Sequence, residues 1–254
     1  MEDKLSLTEV FHNYFEFVPA TTKVLREQAF KIRYEVYCEE LAYESPDEFP
    51  DQLEQDSFDE NSLHYLLKHK ESQEFAACVR LAMVDDNKTL PFESTCGNSL
   101  YVDTIRPVSL EENSCFEISR LAVRSQFRKR RGEQNKPYSI DTPERQSDTR
   151  RTNYPLITYG LYMACFAGSL HHQLSNVFVM MEMSLARRLR IMGVLFEQIG
   201  LPVEHRGLRA PYRILASESQ EQMSDDLQQL IQDMRAVLEN VEPPIKYNNF
   251  LEHG

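Results

Sequence analysis

The sequence predicts one mixed α/β layer domain over residues 1–216 and a C-terminal amphipathic helix and tail over 217–254. Three observations carry this. Strand-like apolar runs at 63–68, 75–84, 115–123 and 176–182 alternate with helical segments at 21–43, 156–174 and 184–193. The run 115–123 is the clearest strand, yet it holds an acid, a hydroxyl and a base. After residue 216 the strand signals stop and one amphipathic helical pattern remains.

In chain order, Thr21 or Thr22 can cap the first helix, and Val24, Leu25, Ala29, Ile32, Val36 and Tyr37 form its apolar stripe. Pro46 and Pro50 bound an acidic loop that runs from Glu44 to Asp56. The segment 85–113 has turn signals and weak pattern, so it is assigned as loop with one short strand near Tyr101. Residues 133–153 are polar and aperiodic, and read as an inserted mobile loop. The helix 156–174 is apolar on nearly every side, which makes it central. The helix from Ser184 ends at Gly193, a residue suited to a C-cap. Pro211–Ala216 is expected as the last strand. Ser224 caps the final helix, with Leu227, Leu230, Ile231, Met234, Val237 and Leu238 on one face and Pro243-Pro244 as its stop.

Composition excludes several classes of function. At 41% hydrophobic residues the chain can bury a core and is not a disordered segment. A net charge of -12 argues against wholesale nucleic-acid binding, which depends on neutralising phosphates. Cys38, Cys78, Cys96, Cys115 and Cys165 are odd in number and lack Cys-x-x-Cys spacing, which fits reduced, buried thiols. The first nine residues are polar and charged, unlike a signal peptide. No apolar run approaches the ~20 residues of a transmembrane helix. A cytoplasmic protein is expected.

The chemistry concentrates in Glu117-Ile-Ser119-Arg120-Leu-Ala-Val123 and the basic turn that follows, Arg124 to Gly132. A charge in a strand core costs several kcal/mol unless it is paired or used. Arg124, Arg128, Lys129, Arg130 and Arg131, followed by Gly132, form either a phosphate cradle or a solvated basic turn. Arg33 interrupts the apolar face of the first helix, Asp56 and Asp59 precede the strand 63–68, and Arg80 sits inside an apolar run. These charges either pair with one another structurally or form a network for a charged small substrate. Strand alternation puts Glu117, Ser119, Leu121 and Val123 on one face and Ile118, Arg120 and Ala122 on the other. Arg120 therefore reaches the cleft of Glu117 only past a bulge, or else pairs with Asp59. Arg206 and Arg209, near Pro211, are either anchors for an acceptor carboxylate or exposed surface cations. His171-His172 lacks metal-ligand spacing, and no metal site is expected.

Arg33-Tyr-Glu-Val-Tyr37, Glu54-Gln-Asp56-Ser-Phe-Asp59 with Tyr65-Leu-Leu, Cys78-Val-Arg80-Leu, and Glu117-Ile-Ser119-Arg120-Leu-Ala-Val stand in one order and spacing. In that arrangement the chain resembles the acyl-homoserine lactone (autoinducer) synthases and the related N-acyl amino acid synthases. The second half is similar to the acyltransferases associated with the PEP-CTERM/exosortase system. That likeness rests on Phe127-Arg-Lys-Arg-Arg-Gly-Glu133, Val179-Met-Met-Glu182, Leu185-Ala-Arg-Arg-Leu, and Glu197-Gln-Ile-Gly200 with Val203 to Tyr212.

The resemblance implies a GNAT-like acyl-CoA N-acyltransferase fold, with a central mixed sheet flanked by helices. It implies aminolysis of a thioester whose acyl group rides on phosphopantetheine, carried by acyl carrier protein or coenzyme A, with no tightly bound cofactor. The acceptor is a small amine, amino acids included. Glu117 takes the role of general base, with Ser119 and Arg120 beside it. Burial beside Phe116 and Ile118 raises its pKa and Arg120 lowers it. The backbone after Ala122, at Val123, supplies an N–H for the thioester oxygen, and the basic turn holds the carrier phosphate. Arg33, Tyr37, Tyr43, Asp56, Asp59 and Arg80 become substrate-binding positions.

Three departures qualify the likeness. Tyr43 stands where lactone synthases carry tryptophan, which speaks against S-adenosylmethionine as acceptor. The turn Arg-Lys-Arg-Arg-Gly replaces the glycine-rich pattern of acetyl-coenzyme A enzymes. Leu189 occupies the place of the tyrosine that often protonates the leaving thiolate, though a thiol of pKa ~8.5 leaves tolerably without an acid. A carrier-protein or acyl-binding module without catalysis is the remaining alternative.

Overall fold

The computed structural model describes residues 5–83, 89–101, 115–128, 154–172, 174 and 176–241. Its centre is an eight-stranded mixed sheet in the order β1-β2-β3-β4-β5-β8-β6, with β7 attached to β8. The strands are β1 (Phe15–Pro19), β2 (Ser62–His69), β3 (Phe75–Met83), β4 (Cys115–Val123), β5 (Asn176–Glu182), β6 (Phe196–Gln198), β7 (Val203–Glu204) and β8 (Leu208–Ile214). Every named pairing is antiparallel except β4 with β5. The expected central mixed sheet flanked by helices is present.

The helices are α1 (Leu7–Tyr14), α2 (Lys23–Tyr34), α3 (Pro91–Cys96), α4 (Tyr154–His171), α5 (Met183–Ile191), α6 (Ala216–Gln222) and α7 (Asp225–Glu239). Thr22 caps α2 by accepting from the Leu25 N–H. The helix does not end at Tyr34 but widens into a π turn over Glu35–Glu40. The apolar stripe holds at Ala29, Ile32, Val36 and Tyr37, whereas Val24 faces solvent in the first turn. α4 packs across the sheet, and its buried residues share one core with α1, β2, β3 and α7. The apolar face of α7 is buried at Leu227, Leu230, Ile231, Met234 and Leu238, and Val237 is its exposed edge. The C-terminal helix is thus part of the main core.

Six elements differ from the sequence reading: α1 and β1 precede the expected start, α3 replaces loop, β6 and β7 are additional short strands, and α6 is an additional helix between β8 and α7. The strand expected near Tyr101 is reduced to a bridge between Leu100 and Gly200 and a hydrogen bond from the Tyr101 N–H to Ile199 O. The insert 133–153 lies outside the described residues. Among the described residues no helix is long and apolar enough to cross a membrane, and the five cysteines are buried and unbridged.

Candidate active site

The site forms where two parallel strands part. β4 pairs with β5 from Cys115 opposite Asn176 to Ile118 opposite Val179, and no further. Beyond that point β4 continues with β3, and β5 continues with β8. A cleft of about 260 Å³ opens there. Its walls include Glu117, Ser119, Arg120 and Leu121 from β4, Val179 to Met181 from β5, and Tyr37, Tyr43 and Asp56 from the α2 side.

Arg120 reaches this cleft because β4 bulges. The register with β3 shifts between Cys78 and Arg80, opposite Ser119 to Ala122. Arg120 takes φ 51°, a left-handed backbone that an L-residue adopts only at a cost of roughly 1–2 kcal/mol. The Tyr37 hydroxyl donates to Leu121 O at 2.9 Å and clamps the bulge from the π turn. Two irregular backbones, one helical and one extended, therefore hold each other.

Behind the cleft wall the charges close a ring. Arg33 donates from Nε to Glu54 and forks onto Asp59 at 2.7 and 3.0 Å. Arg80 Nη1 joins Asp59 at 2.8 Å to Asp56 at 2.6 Å. Arg120 joins Asp56 at 2.9 Å to Glu54 at 3.1 Å. Three cations and three anions alternate, so the buried network is neutral. Asp56 and Asp59 are also fixed by the 3-10 turn they cap. Asp56 accepts from the Phe58 N–H, and Asp59 accepts from the Asp56 N–H. The three arginines hold the carboxyls of Glu54, Asp56 and Asp59 below their usual range against the opposing effect of burial.

The third acid of this ring is Glu54, a residue the sequence reading quoted within a motif but did not single out. Its position in an acidic loop hid it, because Asp47, Glu48 and Asp51 nearby are exposed. Arg120 pairs with Glu54 and Asp56 and leaves Asp59 to Arg33 and Arg80. Arg33, Asp59 and Arg80 are buried and are not among the cleft-lining residues, so of the expected substrate positions Tyr37, Tyr43 and Asp56 touch the cleft. Arg80 Nε also donates to Ser119 Oγ at 3.0 Å and orients that hydroxyl.

Glu117 is the carboxyl outside the ring. It is 4% exposed and accepts one hydrogen bond, at 2.6 Å, from the Phe92 N–H in the first turn of α3. Burial lifts its pKa to about 7, against the lowering pull of that N–H, Arg80 and Arg120. The two arginines spend most of their field on their own acids. A carboxyl that titrates near neutrality in a cleft is suited to take a proton from an ammonium.

The Arg124 N–H donates to Ala76 O at 3.0 Å. In an antiparallel pair neighbouring amides point opposite ways, so the Val123 N–H points away from β3, to the side where β5 has parted. That is the orientation an oxygen-binding amide needs. The basic turn differs from an open cradle. Arg124 pairs with Glu35 at 2.6 Å and Arg128 with Glu40, both on the π turn. Ser125 donates its N–H to Glu40 as well. These two arginines tie the end of β4 to α2. Lys129, Arg130, Arg131 and Gly132 lie outside the described residues. Among the described residues no cluster of His, Cys, Asp and Glu could hold a metal.

Residues 32–135 match the family model described as "Acetyltransferase (GNAT) domain". The site residues from Arg33 to Gly132 lie within that segment, whereas Arg206 and Arg209 lie outside it. No curated protein sequence matches the chain. Among solved structures, the chain is similar to TofI in a ternary complex with an inhibitor and MTA, with TM-score 0.56 and 16% identity over 84% of this chain and 96% of that one. It is similar to FeeM, an N-acyl amino acid synthase from uncultured soil microbes, with TM-score 0.54 and 13% identity over 82% and 94%. It is also similar to BjaI, a CoA-dependent acyl-homoserine lactone synthase with SAM and isopentyl-CoA, with TM-score 0.51 and 17% identity over 87% and 89%. The chain therefore has an acyltransferase fold of the GNAT kind, and its match to the GNAT domain covers the side of the cleft built by Tyr37 to Leu121.

Proposed function

We propose that the chain is an N-acyltransferase. It moves a medium or long fatty acyl chain from the thioester of acyl carrier protein, or of acyl-coenzyme A, to a small amine or amino acid. The observation that carries this reading is Glu117, a buried carboxyl with no arginine partner among the described residues, raised to about 7, in the cleft between two parting parallel strands. The amine arrives as an ammonium and gives a proton to Glu117, directly or through water. Its nitrogen attacks the thioester carbon, the C–N bond forms, the C–S bond breaks, and the nitrogen gives up its second proton to solvent as the amide forms. The Val123 N–H faces the oxygen that gains charge, and the thiolate takes a proton from solvent. Met180, Met181, Val179 and Leu185 give the cleft an apolar wall for the acyl chain.

Ser119 and Arg120 serve as positioning groups, tied to Arg80 and to the ring. Lys129, Arg130 and Arg131 are assigned to the carrier phosphate, since Arg124 and Arg128 are engaged by the π turn. The likeness of the second half to PEP-CTERM/exosortase-associated acyltransferases supports placing the chain in that narrower group. Buried, unbridged cysteines support a cytoplasmic setting. Tyr43 in place of tryptophan weighs against a lactone synthase that uses S-adenosylmethionine.

The test is free-thiol release from palmitoyl-acyl carrier protein and palmitoyl-coenzyme A with a pool of amino acids, with products detected by mass. Donor-dependent release with a new acyl-amine mass is expected. Binding of the donors without release would favour a non-catalytic module.

A further inference from the structure

Arg206 and Arg209 lie three residues apart and both line the cleft, but they are not equivalent. Arg206 is engaged: it pairs with Glu44, and its guanidinium lies 5.9 and 5.5 Å from the ring centroids of Tyr37 and Tyr43. Arg209 differs. Its Nε and Nη2 are buried and donate to no atom among the described residues. Arg209 as a whole is half-buried, but two buried guanidinium donors left empty are costly in a folded chain unless something binds there. Arg206 is itself a cation, His205 is neutral because burial and the nearby arginines push its pKa down to about 4, and Glu182 opposite makes no hydrogen bond to these two nitrogens, so an anion in the cleft is the partner that fits them.

The sheet register fixes where that anion sits. Glu117 lies beside Phe178, and Arg209 lies opposite Glu182. Phe178, Met180 and Glu182 alternate onto one face of β5, so Glu117 and Arg209 rise from the same face of the sheet. Four residues along β5 and two strand spacings put their Cα atoms roughly 16 Å apart in a regular sheet. An extended arginine and a glutamate reaching toward each other shorten this to the length of a small molecule.

We propose that Arg209 is the anchor for the carboxylate of the acceptor, so that the acceptor is an amino acid with a free carboxyl group. Arg209 holds the carboxylate as a fork while Glu117 faces the amine. The identity of the acceptor rests on the N-acyl transfer reading above. The carboxylate site itself rests on the empty donors of Arg209.

The test uses the full chain and two probes, N-octanoylglycine and N-octanoylglycinamide, titrated calorimetrically onto wild type and Arg209→Met. Wild type is expected to bind the acid at least tenfold more tightly than the amide, as loss of charged hydrogen bonds implies. Arg209→Met is expected to bind both alike, at the affinity wild type has for the amide, which also shows that the variant is folded. Retention of the acid preference in Arg209→Met overturns the assignment. So does a wild type that binds neither probe, or binds both equally. A weaker affinity for coenzyme A in Arg209→Met, with the acid preference intact, would instead give Arg209 to the donor phosphate. Thioester turnover measured on the same preparations separates the two readings. Arg209-dependent acid binding without turnover would sink only the transfer reading. Turnover without acid preference would sink only this one.

Discussion

Glu117 and the six ring residues show how one strand can carry charge for two purposes. The ring is buried but neutral, and each carboxyl in it has two arginine neighbours. Glu117 has one backbone donor and no arginine within hydrogen-bonding reach among the described residues. The pH dependence of stability differs in sign between them. Glu54, Asp56 and Asp59 have lowered pKa values, so their stabilisation is present above the ordinary carboxylate range and is lost as pH falls. Glu117 is raised from 4.5 to about 7, so between these values the folded chain holds a proton that the unfolded chain has released. Its contribution to stability therefore falls as pH rises through that window, by on the order of 3 kcal/mol in full. Glu117→Gln keeps an acceptor for the Phe92 N–H and lacks the charge. Urea unfolding should show the variant more stable than wild type at pH 8 by an amount of that order, with the two converging toward pH 5. A wild type as stable as the variant at pH 8 would mean that the carboxylate is not desolvated.

At the scale of elements, the ring fastens α2, the 3-10 turn at Ser57–Asn61, β3 and β4 at one point. Glu54 bridges Arg33 to Arg120, so Glu54→Gln unbalances two pairs at once. Breaking a buried pair by removing one partner costs about 3–5 kcal/mol, and denaturant unfolding of Glu54→Gln should show a loss of that size. A loss below 1 kcal/mol would mean that water reaches the ring. Much of this was legible in the sequence. Charges inside apolar runs must pair, and that rule identified Arg33, Asp56, Asp59, Arg80 and Arg120. It could not identify Glu54, because an acid in an acidic loop looks solvated until the loop folds back over α2, where the Glu54 N–H bonds Phe30 O. The bulge was legible only as a condition on Arg120, since period-two alternation has no term for an inserted residue. α3 was missed because six residues show no periodicity. α1 left a usable signal in Ser6-Leu-Thr-Glu9, which forms a capping box.

For the whole molecule, the C-terminal helix belongs to the body that holds the cleft. Asp226 on α7 accepts hydrogen bonds from the Leu7 and Thr8 N–H groups of α1, and both helices share the core with α4. The sequence reading set 217–254 apart because strand signals end there; three-dimensional packing joins the two ends of the chain. Residues 1–216 alone would expose the faces covered by Leu227, Leu230, Ile231, Met234 and Leu238. At roughly 1.5–3 kcal/mol for each buried side chain, that loss is comparable to the 5–15 kcal/mol stability of a typical domain. Thermal unfolding of 1–216 followed by circular dichroism should show no cooperative transition. A transition close to that of the full chain would make the helix a separate addition. At this scale a sheet that opens between β4 and β5 places Glu117, Ser119, Arg120 and an apolar wall of Val179, Met181 and Leu185 around one gap.

The most direct test of Glu117 as base is the rate of thiol release from palmitoyl-acyl carrier protein, with acceptor present, between pH 5 and 9 for wild type and Glu117→Gln. The wild-type rate should rise through about pH 7, following the carboxyl. The variant should lose on the order of 10²–10⁴ in rate and that rise with it. A variant that keeps the wild-type rate and pH profile would contradict the assignment of Glu117.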